Sequence, residues 1–146
     1  MGKKKRAKPQ RLGALPPQHD FFLNPYQDVR FTRCPKCEGK TKLRKKPLLI
    51  GIEPAQIASL NKTCRYCPGC DLLIAHKNEL DALVEAMCHQ YMPHLLGHDY
   101  IVLGTLERKS WRTGVHTYSM KTVFENLHDF KRDLVFEPLS YGWRKE

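Results

Sequence analysis

Apolar residues recur with two different periods along the chain. From Asn78 onward, Leu80, Leu83, Val84, Met87, Cys88 and Tyr91 return at helical spacing. Asn78 is a good N-cap, Asp81 three residues on completes a weak capping box, and Pro93 stops the helix. A second helix is expected after Ser119, with Met120, Val123, Phe124, Leu127 and Phe130 on one face. Elsewhere the pattern shortens to strands. Alternation about Val29 and Phe31 predicts one over residues 28–33, and residues 40–46, 62–66 and 71–75 read as three more. The run from Tyr100 to Leu106 is apolar on both faces in its first half, as a partly buried strand is, and residues 133–136 form a last short one. Glu53, Pro54 and Asn61 bracket a short helix over residues 54–60. Residues 107–113, polar apart from Trp111, run out to a turn at Gly114, and residues 141–146 read as irregular. The order is that of a small α+β protein.

Charge separates the chain into unlike parts. Residues 1–26 carry six Lys/Arg against one acid, residues 27–76 ten against four, and residues 77–146 nine against ten. The opening, with Lys3, Lys4, Lys5, Arg6, Lys8, Arg11 and scattered prolines, buries too little apolar area to offset the entropy of ordering, which predicts a mobile basic arm over residues 1–26. Phe21, Phe22, Leu23 and Tyr26 close that arm as an apolar cluster that would pack on the surface of whatever follows. No apolar run approaches the ~20 residues of a membrane span, and no apolar segment follows the basic start as in a secretory signal. A cytoplasmic, reducing setting is therefore expected, in which paired cysteines bind metal more often than they form bridges.

Four of the six cysteines fall in two similar segments, Cys34-Pro35-Lys36-Cys37 and Cys67-Pro68-Gly69-Cys70, separated by 29 residues. A tight Cys-X-X-Cys turn aims two thiolates at one point, and two facing turns complete a tetrahedral zinc shell. Cys64 competes for this role, because Cys64-Arg65-Tyr66-Cys67 has the same spacing. The pair Cys67 with Cys70 is favoured by the turn-forming Pro68-Gly69, leaving Cys64 as a buried small residue, an exchanging ligand or a redox partner. The two turns resemble the zinc-ribbon superfamily over about residues 28–76, a third of the chain. That resemblance implies paired β-hairpins around one structural Zn²⁺ with Cys34, Cys37, Cys67 and Cys70 as ligands; it says little about function, since such modules bind DNA, RNA or protein, or brace larger enzymes. Three parts are thus expected: a basic arm (1–26), a zinc ribbon (27–76) and a small α+β portion (77–146).

Four thiolates leave zinc no open position for water, so hydrolytic chemistry is not expected. Arg33, Lys36, Lys40 and Arg65 are placed to offset the negative charge of such a centre. Cys88, His89, His94 and His98 form a weaker candidate for a second metal site, and capping or loop roles for these histidines are more ordinary. The His-Asp pairs at residues 19, 98 and 128 lack the further ligands of a metal phosphohydrolase, and neither a phosphate loop nor a serine nucleophile elbow is present. A thioredoxin-like redox site would need a parallel α/β pattern that the hairpins do not supply.

What remains is a non-enzymatic zinc module. The net charge of +10 favours a nucleic-acid partner, RNA more than DNA. The arm would meet phosphates loosely, and Arg33, Lys36, Lys40, Lys42, Arg44, Lys45 and Lys46 would supply a fixed patch. The competing expectation is a protein-interaction adaptor in which residues 77–146 dock on a larger assembly and the ribbon is a brace. Neither expectation includes a membrane or a small-molecule substrate.

Overall fold

Leu48, Leu49 and Ile50 are consecutive and all buried, so both faces of the strand that carries them must be covered. The computed structural model describes residues 11–107 and 120–137. In it that strand, β2 (Lys42–Ile52), pairs antiparallel with β3 (Gln56–Cys67) and along Leu48–Ile52 with β5 (Tyr100–Leu106). With β1 (Asp20–Asn24), β4 (Leu72–His76), β6 (Leu127–Asp129) and β7 (Arg132–Leu134) they form one mixed seven-stranded sheet, ordered β6-β5-β2-β3-β4-β1-β7. Strands drawn from residues 20–24, 42–76 and 100–134 therefore share one hydrogen-bonded sheet. The two edge strands are separated by only Phe130 and Lys131, three Cα steps that span roughly 11 Å at most, so the sheet must curl until its edges approach.

Helix α1 (Lys77–Tyr91) covers one face. It buries Leu80, Val84 and Cys88, each four residues after the last, against Phe21, Leu48, Ile50, Ile52, Leu73 and Ala75, with Phe130 stacked on Phe21 at 4.3 Å. The other face carries two smaller cores. One packs Leu49, Leu106 and Leu127 near the short helix α2 (Met120–Glu125), and the other sets Phe22, Leu72 and Ile74 beneath the loop that contains Val29, Phe31 and Cys34. No helix among the described residues is long and apolar enough to cross a membrane.

Several expectations are corrected. Residues 20–24 do not belong to a mobile arm: β1 lies between β4 and β7, parallel to both, and Asp20 grips Arg132 through two hydrogen bonds of 3.1 and 2.7 Å. Residues 13–18 are tied down beside β6, where Ala14, Leu15 and Gln18 amides donate to the carbonyl oxygens of Phe124, Leu127 and Asp129. The approach is so close that a Cβ at Gly13 would collide with the Leu127 carbonyl. Residues 28–33 form no strand; the Asn24 side chain instead bonds the Val29 carbonyl and the Tyr26 amide, folding them into a loop. The expected helix over 54–60 is the start of β3, because Leu60 and Ala58 pair with Leu48 and Ile50, and that pairing outweighs local propensity. Leu127 and Phe130 do not continue a helix either, since α2 ends at Glu125 and Leu127 opens β6. The region 108–119 with Trp111, the turn at Gly114, and residues 138–146 lie outside the described residues, as do Lys3, Lys4, Lys5, Arg6 and Lys8.

Candidate metal centre

Both cysteine segments occupy reversals at one end of the sheet. Arg33 bridges Lys40 across the first, and Cys67 pairs with Leu72 across the second. Their four Sγ atoms converge to within 4.8 Å of one another, with Cys34–Cys70 at 3.9 Å and Cys37–Cys67 at 3.5 Å. A tetrahedron with Zn–S bonds of about 2.3 Å has sulfur–sulfur edges of roughly 3.8 Å, so one ion of that kind fits, whereas a disulfide needs about 2.05 Å. Four soft donors in this arrangement suit zinc and leave no coordination position for water.

The turns supply the support that thiolates require. The Lys36 and Gly39 amides donate to Cys34 Sγ (3.3 Å) and Cys37 Sγ (3.4 Å), and the Gly39 bond is the main reason the Cys37 thiol is drawn down to about 7. Glu38 turns the chain with φ of 65°, and the Arg33 guanidinium donates to its carbonyl oxygen at 3.2 Å. Cys34 and Cys67 are buried against Phe22, Phe31 and Leu72, while Cys37 faces solvent. One side of the centre is thus part of an apolar core.

Cys64 is not at the centre. Its pleat places it on the opposite face, 2 % exposed within the α1 core, and burial pushes its thiol up to about 12. Cys88 is likewise a core residue, and His89, His94 and His98 are exposed; among the described residues the four cysteines are the one group able to hold a metal.

Asp71, directly after the second turn, gathers a network absent from the sequence reading. His19 Nδ1 lies 2.7 Å and Tyr66 Oη 2.6 Å from its Oδ1, and Lys131 Nζ lies 2.8 Å from its Oδ2. Burial works to raise the Asp71 pKa, but these hydrogen bonds outweigh it and hold the carboxyl below the ordinary range. Burial and the Asp71 carboxylate push Tyr66 up to about 12. Burial also lowers His19 below 6.5, against the pull of Asp71, and its buried Nε2 has no hydrogen-bond partner among the described residues. The unfolded chain therefore takes up a proton near pH 6.5 that folded His19 resists, so stability is full above that pH and falls as acid is added. Between pH 7.5 and 5.5 the urea midpoint should drop more steeply for the parent protein than for His19→Asn, whose side chain tolerates the φ of 66° at this position. Parallel slopes would remove His19 as the cause.

The basic residues expected to form a patch divide between surfaces. Lys42 and Arg44 share one face of β2 with Lys46, whereas Lys45 points to the other, as a period of two requires. Arg33, Lys36 and Lys40 are exposed around the first turn, and Arg11 reaches back to the Leu15 carbonyl oxygen at 3.1 Å. Lys36, Lys40, Lys42 and Arg44 take part in no ion pair among the described residues.

No protein-family model matches the chain, and no curated protein or solved structure is detectably similar to it.

Proposed function

We propose that this is a non-enzymatic nucleic-acid-binding protein in which one Zn²⁺, held by Cys34, Cys37, Cys67 and Cys70, braces a basic surface at the open end of the β2/β3 hairpin. The observation that carries the reading is the exposure of Lys36, Lys40, Lys42 and Arg44 without ion-pair partners among the described residues, beside a centre that fixes their backbone. Surface cations left unspent by the fold attract polyanions, and the net charge of +10 points the same way. Single-stranded RNA is the preferred partner: the basic face belongs to a sheet, and no helix in the described residues presents such a row to a DNA groove.

Fluorescence anisotropy with labelled single-stranded RNA and duplex DNA tests this. Affinity for RNA should fall by about 300-fold between 50 and 200 mM salt if about six phosphates are neutralised, and Lys42→Gln with Arg44→Gln should shallow that slope by about 1.4. Absence of RNA binding at low salt, or binding indifferent to salt, would sink the reading.

A further inference from the structure

Strands β3 and β4 remain paired only from Arg65 to Cys67, opposite Leu72 to Ile74. Beyond that pairing β3 keeps β2 as its neighbour on the other side, β4 runs on to His76 and passes into α1, and a cavity of about 230 Å³ opens between β3 and the start of that helix. Lys62 lines it, only 5 % exposed. Its ammonium donates to the Thr63 carbonyl oxygen (2.6 Å) and to Glu79 Oε1 (2.7 Å), which leaves one of its three N–H groups unspent among the described residues. Glu79 also pairs with Arg30 at 3.1 Å. Arg65 borders the same space, and its guanidinium makes no hydrogen bond or ion pair among the described residues. His76 Nδ1 is buried there without a hydrogen-bond partner among the described residues.

Cations outnumber carboxylates among these groups. Arg30, Lys62 and Arg65 against the single carboxylate of Glu79 leave a charge of +2 around the cavity. The helix adds to it: α1 begins at Lys77, its N-cap residue His76 provides no side-chain cap, and the positive end of the helix borders the same space. A buried ammonium with a donor to spare, a guanidinium unpartnered among the described residues and an uncapped helix start all ask for an acceptor carrying about two negative charges. A phosphate monoester near neutral pH is such a group, since it carries about −1.5 to −2 charges and three acceptor oxygens.

We propose that this cavity is a phosphate pocket that takes a terminal phosphate group, with Arg65 and Lys62 as its donors and Glu79 as the carboxylate that holds Lys62 in place while it is empty. The inference rests on the nucleic-acid reading only for the source of that phosphate, which would be an oligonucleotide end; a free phosphorylated small molecule offers the same chemistry.

The test uses the full-length, reduced, zinc-loaded chain and inorganic phosphate as the probe, at constant ionic strength, followed by amide NMR shifts. Shifts should concentrate at residues 62–65 and 76–79. Arg65→Ala should weaken phosphate binding at least about tenfold, the loss of one charge-assisted hydrogen bond pair, and because Arg65 has no side-chain partner among the described residues its fold should be unaffected. Glu79→Gln should tighten it several-fold by removing the competing carboxylate, and Lys121→Gln, exposed on α2 and outside the cavity lining, should leave it unchanged. Shifts spread over the whole basic surface, or an Arg65→Ala protein with parental affinity, would overturn the pocket. An oligoribonucleotide bearing a 5′ phosphate should bind more tightly than its 5′-hydroxyl form, and Arg65→Ala should erase the difference. Phosphate binding at the cavity without RNA binding at low salt would keep the pocket, assign it to small phosphorylated molecules, and end the RNA reading alone.

Discussion

Chelation of the reduced chain should release one zinc per molecule and collapse the cooperative melting transition. Cys34 and Cys67 are both buried in the core formed by Phe22, Phe31 and Leu72, so losing the ion loosens packing as well as the turns. Structural zinc contributes apparent binding energies of about 10 kcal/mol or more, comparable to the ~5–15 kcal/mol that holds a whole domain together. Cys70→Ser should lose most of the metal affinity by the same measure. Cys64→Ala should keep one zinc per chain and cost only about 1–2 kcal/mol, because it removes a single buried atom from the opposite face of the sheet. Elemental analysis and thermal melts on the three proteins check all of this together. A metal-free chain that melts as the zinc-loaded one does would remove the centre from any structural account, and loss of zinc in Cys64→Ala would mean that the ligands are wrongly assigned.

Phe22→Ala should be the most damaging single core truncation near the N-terminus, at about 3–5 kcal/mol. Phe22 is 1 % exposed, meets Phe31 and Phe136 edge-on at 5.4 and 5.0 Å, and lies on a strand that joins β4 to β7. Leu12→Ala, at a position 45 % exposed, should stay within about 0.5 kcal/mol. Urea midpoints compare the two. Equal small shifts would mean that β1 is only a loosely attached edge, as the charge of its surroundings suggests at first sight.

That contrast shows where sequence reasoning reaches and where it stops. Helix α1 was legible because fifteen residues keep one period and a proline ends them. The cysteine turns were legible because their geometry is local: four residues, one of them a proline, decide where two sulfurs point. β1 was not, since Phe21-Phe22-Leu23 is too short to show a period and the lysines and prolines before it dominate any composition window. The start of β3 was misread for a related reason. Gln56 to Leu60 has no decisive preference of its own and takes its form from β2, which needs a partner for its doubly buried residues. The Asp71 network was invisible because its members come from residues 19, 66, 71 and 131, whose meeting depends on strand order.

By itself, then, the chain of residues determined the soft four-sulfur donor set, the main helix, the mixed α+β character and the placing of positive charge in its first half. Each of these is written within a few neighbouring residues or in composition. The tertiary structure alone decided that β1 is built into the sheet, that Cys64 turns away from the other sulfurs, and that Lys62, Arg65 and Glu79 border one cavity. Those outcomes follow from strand register and from the curl that brings distant segments together, and no window of the sequence contains them.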